Sequence, residues 1–164
     1  MNTVGRVGIG YDIHRLVPGR RLVLGGVEVP SPEGLAGHSD ADVLLHAVSD
    51  ALLGAAGAPD LGELFPPGDP AWAGISSVLL LERVGQEVAT RGFAIVHIDA
   101  TVVAETPKLR PHKAAMVAVI ARALGLEIGQ VNVKAKTNEG LDAVGERSAI
   151  AAWAVALVAE RPRR

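Results

Sequence analysis

The sequence predicts an α/β (α+β) fold in which one mixed β-sheet carries its helices packed on one face. Three observations carry this expectation. Stretches rich in Val and Ile recur near the start, middle and end of the chain, helical stripes fall between them, and the order runs from strands into alternating helices and strands. With 164 residues there is material for one domain, residues 1–164, and no composition shift marks a second. Because 49% of residues are hydrophobic and only 3% aromatic, that core must be built mainly from Ala, Val, Leu and Ile.

Residues 4–15, containing Val4, Val7 and Ile9, read as the first strand. The pair 22–24 and 27–29 follows, hinged at Gly25-Gly26, and Pro30 and Pro32 close it. Ser39 is the expected N-cap of a helix reaching about Ala56, with Val43, Leu44, Ala47, Ala51 and Leu52 as its apolar stripe. Four prolines and three glycines make residues 57–70 a structured loop and not a helix. The pattern then predicts a helix over 75–90, a strand over 93–104 closed by Thr106-Pro107, and a helix over 116–124. A short strand over 131–135 and a last helix over 145–160, ended by Pro162, complete the chain.

Net charge is −2 and basic residues are scattered apart from the terminal Arg161-Pro162-Arg163-Arg164, so no nucleic-acid footprint is expected. The absence of cysteine excludes disulfides, thiol nucleophiles and thiolate metal sites. With no leader pattern, the expected setting is cytoplasmic. The longest apolar run, about 149–159, is too short to span a bilayer, so no membrane partner is expected.

Chemistry concentrates in two segments. Asp12 and His14 stand two apart in the first strand, so both project from one sheet face, and His46 on the following helix offers a third donor. One carboxylate and two imidazoles suit Zn²⁺, and three protein ligands leave a fourth position open. A lone histidine on an apolar face is more often structural, but Asp42 and Asp50 lie four residues either side of His46, on its helix face. Either carboxylate is a candidate partner for a ligand's outer N–H, the alternative for Asp42 being a solvated helix face. His38 precedes that helix in a glycine-led turn suited to a phosphate or hydroxyl, or is an ordinary loop histidine. The loop Asp60-Leu61-Gly62-Glu63-Leu64-Phe65-Pro66 presents two acids to hydroxyls or metal-bound water, or is simply surface. Glu139, in the segment following the last short strand, suits Mg²⁺, which takes one or two carboxylates together with substrate phosphates. His97 and His112 have no companion at ligand spacing and read as structural.

Gly10-Tyr11-Asp12-Ile13-His14, His38-Ser39-Asp40-Ala41-Asp42 through His46 to Asp50-Ala51-Leu52-Leu53-Gly54-Ala55, Asp60-Leu61-Gly62 with Phe65-Pro66, and Pro107-Lys108 to Pro111-His112 occur together in this chain. Through them the sequence resembles the 2-C-methyl-D-erythritol 2,4-cyclodiphosphate synthase family of the non-mevalonate isoprenoid pathway, over nearly its whole length. The resemblance implies a homotrimer with its sheets around a threefold axis and active sites between neighbouring subunits. It implies Zn²⁺ on Asp12, His14 and His46, and Mg²⁺ or Mn²⁺ on Glu139 when substrate is present. It gives His38 and Thr137 transition-state roles and places Asp60, Leu61, Gly62, Phe65 and Asp69 against the substrate, Asp60 at the erythritol hydroxyls. Ala104, Pro107, Lys108, Leu109 and Arg110 would form the adjacent subunit's cytidine pocket, with Lys136 and Asn138 as further substrate contacts.

The implied reaction takes 4-diphosphocytidyl-2-C-methyl-D-erythritol 2-phosphate to the cyclic diphosphate with loss of CMP. The substrate's own phosphate is the nucleophile, which fits a chain with no cysteine and no need of an activated serine. Two rivals are a zinc-dependent phosphohydrolase and a non-catalytic trimer that holds cytidine nucleotides or isoprenoid diphosphates. Two departures from the family pattern stand out, the segment 142–148 and Lys136: in the first, Ala143 stands where a phenylalanine is common and Glu146 where an arginine is. On the expected helix Arg147 points about 100° away from Glu146, so a cavity on the threefold axis should bind an isoprenoid diphosphate weakly. Lys136, where threonine is frequent, either strengthens nucleotide binding or faces water.

Overall fold

The computed structural model describes residues 5–161; Val4 and Pro162, which the sequence reading used as strand start and helix stop, lie outside the described residues. A five-stranded sheet has the order β4-β1-β7-β5-β6. Its centre is formed by three long strands: β1 (Gly5–Pro18), β5 (Phe93–Val103) and β7 (Ala149–Glu160). β1 and β5 each pair antiparallel to β7, β4 (Glu33–Leu35) pairs antiparallel to the far end of β1, and β6 (Val131–Lys136) runs parallel to β5. The sheet is therefore mixed, as expected.

The predicted hairpin is present as a separate two-stranded unit, β2 (Leu22–Leu24) and β3 (Val27–Val29). Its two-residue turn needs positive φ at both positions, and Gly25 and Gly26 supply +60° and +72°. Three helices cover one sheet face. α1 (Val43–Ala56) lies over β1 and β7, α3 (Ser77–Thr90) sits beside α1 against β5, and α4 (Lys113–Leu124) packs on β6. Single helical turns form α2 (Leu61–Leu64) and α5 (Asp142–Gly145). Leu44, Leu45, Leu52, Leu53, Ile98, Met116, Ile120 and Ile150 are completely buried between the layers, so aliphatic side chains do build the core.

Four expectations need correction. The helix expected over 145–160 is instead strand β7, with α5 and a tight turn before it. Alanine favours helix in isolation, but here Ile150, Ala152, Ala154, Ala156 and Val158 alternate as a buried face, and the strand is hydrogen-bonded to β1 and β5 on its two sides. Small residues suit that position because α1 packs directly over them. Since Glu146 caps α5 and Arg147 has φ +63°, the helical angle used to separate these side chains does not apply.

The N-cap of α1 is Asp42 and not Ser39: the Asp42 carboxylate accepts from Leu45 N at 3.1 Å, while Ala41 at φ +57° stops the helix from starting earlier. Residues 57–70 contain α2, capped by Asp60, within what reads as pure loop. Finally, Glu33–Leu35 forms β4 despite Pro32, as a three-residue edge strand beside β1.

Candidate active site and metal centre

In β1 the even positions face α1 and the odd positions face away, so Gly8, Gly10, Asp12 and His14 share one face. A Cβ on Gly8 would meet Ala51 O at 2.1 Å and one on Gly10 would meet Ala47 O at 1.9 Å, so the missing side chains are what let α1 lie on the strand. The helix runs antiparallel to β1. That direction carries His46, near its start, over Asp12 and His14.

Asp12 Oδ2 lies 2.9 Å from His14 Nε2 and 3.0 Å from His46 Nδ1, and the two imidazole nitrogens are 3.3 Å apart. A tetrahedral ion with bonds of about 2.0–2.1 Å spaces its ligands about 3.3 Å apart, so this donor triangle fits a metal such as zinc. Burial disfavours the charge on Asp12, yet hydrogen bonds and charge from His14 and His46 outweigh it and hold the carboxyl well below the usual range. Burial likewise opposes a charged His46, but Asp12, with Asp42 and Asp40 behind it, raises the imidazole above its ordinary value. The cluster is an anionic socket for a cation.

His14 and His46 open into a pocket of about 200 Å³ lined also by His38, Ser39, Leu61, Gly62, Phe65 and Trp72. The structure thus brings together the His14–His46 cluster, the loop before α1 and the α2 segment around one pocket. Phe65 meets Trp72 edge-on with centroids 5.1 Å apart, closing one wall. Trp72 was not singled out from sequence, although a tryptophan in a Pro-rich loop of a chain so poor in aromatics is a usable signal. Asp60 instead caps α2 through Glu63 N at 2.9 Å and lines a neighbouring hollow with Tyr11 and Asp50. Asp69 accepts from Ala71 N at 2.9 Å at the start of the turn that carries Trp72.

The loop around His38 is held from outside. Arg20 donates to Gly37 O at 3.0 Å and to Ser39 O at 3.1 Å, bracketing His38, whose own carbonyl accepts from Gly74 N at 3.0 Å. Sequence gave no sign of Arg20. Neither Asp42 nor Asp50 bonds to a ligand histidine. Asp42 is completely buried and ties Gly25 N (2.9 Å) and Gly26 N (2.6 Å) of the hairpin to the start of α1. Asp50 accepts from Leu61 N at 2.8 Å, with burial raising its carboxyl above the usual range. The partner of the outer nitrogen of His46 is Ser77, at 3.1 Å.

A second group gathers where β5 and β6 end. Thr137 donates to Glu139 Oε1 at 2.6 Å, and the Glu105 carboxylate accepts from Asn138 N at 2.7 Å and, more weakly, from Gly140 N at 3.4 Å, either side of Glu139. Glu139 is exposed and held at φ +53°. Lys108, Arg110 and Lys136 are exposed, Pro107 is half-buried, and Ala104 and Leu109 are buried. None of these residues lines the pocket beside His46.

The chain is similar to known proteins over nearly its whole length. The model of the YgbB family matches residues 5–159. A protein of Desulfosudis oleivorans named 2-C-methyl-D-erythritol 2,4-cyclodiphosphate synthase is 60% identical over 159 residues, covering 97% of this chain and 95% of its own. Among solved structures, the bifunctional IspDF of Campylobacter jejuni superposes with a TM-score of 0.93 at 38% identity, over 97% of this chain and 43% of that longer one. A Plasmodium falciparum IspF solved as a CDP complex gives 0.85 at 30% identity, over 98% and 99% of the two chains. The chain therefore belongs to the YgbB family, the family of 2-C-methyl-D-erythritol 2,4-cyclodiphosphate synthases.

Proposed function

We propose that this chain is a phosphorus-oxygen lyase that converts 4-diphosphocytidyl-2-C-methyl-D-erythritol 2-phosphate to 2-C-methyl-D-erythritol 2,4-cyclodiphosphate and CMP, as a single domain working in the cytoplasm. The observation that carries the reading is the convergence of Asp12, His14 and His46 beside a pocket that also holds His38 and Phe65, in a chain 60% identical to a synthase. In the reaction an oxygen of the substrate's 2-phosphate attacks the β-phosphorus. The bond from that phosphorus to the bridging oxygen breaks, and its electron pair leaves on CMP.

Asp12, His14 and His46 would hold Zn²⁺, and Glu139 would hold Mg²⁺ or Mn²⁺ together with the substrate's phosphates. When bound, such ions polarise phosphoryl oxygens and offset the charge that grows on the leaving group. The rest is positioning by the chain itself. His38, bracketed by Arg20, presents its imidazole at the pocket where the phosphates must lie. Asp60, Leu61, Gly62, Phe65 and Asp69 shape the erythritol end, the Phe65–Trp72 wall keeping water from it. Thr137, oriented by Glu139, assists at the transferring phosphoryl group. Ala104, Pro107, Lys108, Leu109, Arg110, Lys136 and Asn138 form the cytidine side, supplied by the neighbouring subunit of a homotrimer.

Two features support that assembly. The cytidine-side residues do not line the pocket beside His46. The sheet face opposite the helices leaves Val7, Ile9, Tyr11, Ile13, Trp153 and Val155 exposed, an apolar surface of the kind that subunits cover. The CDP bound by the Plasmodium falciparum relative supports a cytidine nucleotide as the ligand of this site.

The test is mass spectrometry of products formed from the diphosphocytidyl substrate with Zn²⁺ and Mg²⁺ present. A cyclic diphosphate with stoichiometric CMP is expected. A linear hydrolysis product, or binding without CMP release, would overturn the reading. Among the described residues no helix is long and apolar enough to cross a membrane.

A further inference from the structure

His46 has two ring nitrogens with opposite surroundings. Nδ1 faces Asp12 and His14, whereas Nε2 points to Ser77 Oγ at 3.1 Å and, at a longer 3.4 Å, to Ser39 Oγ. Ser77 opens α3 and is 1% exposed. Its hydroxyl donates to Asp40 Oδ1 and its backbone N–H to Asp40 Oδ2 at 2.9 Å, so the carboxylate is clamped across the start of the helix. Asp40 also accepts from Asp42 N at 3.3 Å, which ties it to the first residue before α1. Ser39 Oγ is engaged by Ala41 N at 3.0 Å.

The proton positions along this chain follow from donor and acceptor capacity. A carboxylate can only accept, so the single hydroxyl proton of Ser77 is committed to Asp40. Ser77 Oγ then has only lone pairs to offer the imidazole, so Nε2 faces it as an N–H. Nδ1, 3.0 Å from the Asp12 carboxylate, also donates while no cation is bound, and a metal ion on the triad would take the place of that proton, leaving a neutral imidazole whose one N–H is the one on Ser77. We propose that Asp40 and Ser77 are positioning residues that hold the Nε2–H of His46 and so aim Nδ1 into the metal centre. The proposal rests on the reading that the triad holds a metal. It also explains why a buried serine and an aspartate 37 residues before it are joined by two hydrogen bonds at the edge of the pocket.

The experiment uses the full chain and two independent readouts. Zinc affinity is measured by competition with a chromophoric chelator, zinc alone being the probe, and the exchange of the His46 Nε2–H with water is read from ¹⁵N–¹H correlation spectra of the zinc-loaded protein. The parent should show a slowly exchanging Nε2–H. Ser77→Ala should lose that protection and bind zinc roughly 10–100-fold more weakly, as is usual when an outer partner of a metal-bound histidine is removed. Ser77→Thr, which keeps the hydroxyl, should restore most of both. Should Ser77→Ala fail to fold, Asp40→Asn serves in its place, because the amide no longer compels the hydroxyl proton away from His46. A folded variant of either kind with the parent's zinc affinity and Nε2–H exchange overturns the relay while leaving the triad standing. If the parent binds no zinc the metal reading fails, and the Nε2–H exchange of the metal-free imidazolium, in parent and variants, then upholds or overturns the relay.

Discussion

Replacing Gly10 by alanine tests how the strand–helix approach builds the metal centre. The new Cβ would stand 1.9 Å from Ala47 O, 2.7 Å from Ala51 N and 2.9 Å from Ala47 C, all backbone atoms of α1 with no rotamer to move. A carbon–oxygen contact settles near 3.3 Å, so the helix must retreat by about 1.4 Å. His46 adjoins Ala47 and would be carried away with it. The present donor separations are 2.9, 3.0 and 3.3 Å, and metal sites tolerate only about 0.2 Å in bond length, so the site should fail as a zinc site even where the protein folds. Overpacking costs about 1–3 kcal/mol, which for a domain of this size lowers the melting temperature by roughly 3–10 °C.

Zinc content after dialysis and thermal denaturation report the two effects separately. Gly8→Ala is the companion variant: its Cβ meets Ala51 O at 2.1 Å and Ala55 N at 2.4 Å, further along the helix from His46, so it should destabilise comparably but lose less zinc. Gly54→Ala is the control, since its Cβ finds nothing nearer than 3.9 Å, and it should gain about 0.5–1 kcal/mol from helix propensity. Full zinc occupancy and an unchanged melting temperature in Gly10→Ala would refute the argument that the glycines set the helix position.

Because Asp12 outweighs burial and raises the His46 imidazole above its ordinary value, zinc must displace a proton at any pH below that raised value; apparent affinity should fall about tenfold per pH unit there, as metal titrations at several pH values will show. Arg20→Ala releases both carbonyls flanking His38 and should lower turnover while zinc content stays at the parent level, a pairing that steady-state kinetics with metal analysis checks. Asp42→Ala strands the N–H groups of Gly25, Gly26 and Leu45, so urea denaturation should show a loss of at least about 3 kcal/mol. Glu139→Gln should leave folding intact but require more Mg²⁺ for activity; an unchanged Mg²⁺ dependence contradicts its assignment.

The clustering of Asp12, His14 and His46 as a possible metal site was legible because its signal is local: a two-residue spacing fixes a shared strand face, and one helix supplies the third donor. The Gly25-Gly26 hairpin was legible for the same reason, its turn chemistry being contained in adjacent residues. β7 was not, because Ala-rich alternation satisfies a helix as well as a strand, and only the neighbours β1 and β5 decide between them. The partners of His46 were misassigned to its own helix, since Asp42 and Asp50 lie at helical spacing whereas Ser77 reaches it from another element. Arg20 acts through backbone carbonyls, which leave no trace in side-chain pattern. Glu139 was legible from its place after a short strand, whereas residues 104–110 and 136–138 came from the family resemblance, and the separation of all of them from the His46 pocket within one chain becomes visible only in three dimensions.

The two-sided use of β1 has an evolutionary consequence. Its even residues approach α1 and include the proposed metal donors Asp12 and His14, while Val7, Ile9, Tyr11 and Ile13 turn to the opposite surface. A one-residue insertion or deletion between Gly10 and Asp12 would exchange those duties, turning the donors outward and aliphatic bulk toward the helix. The exposed apolar face and the proposed metal donors therefore share a single reading frame of the pleat. Length variation within this strand should be confined to steps of two residues, and intermediates of one should be lost to both folding and function at once.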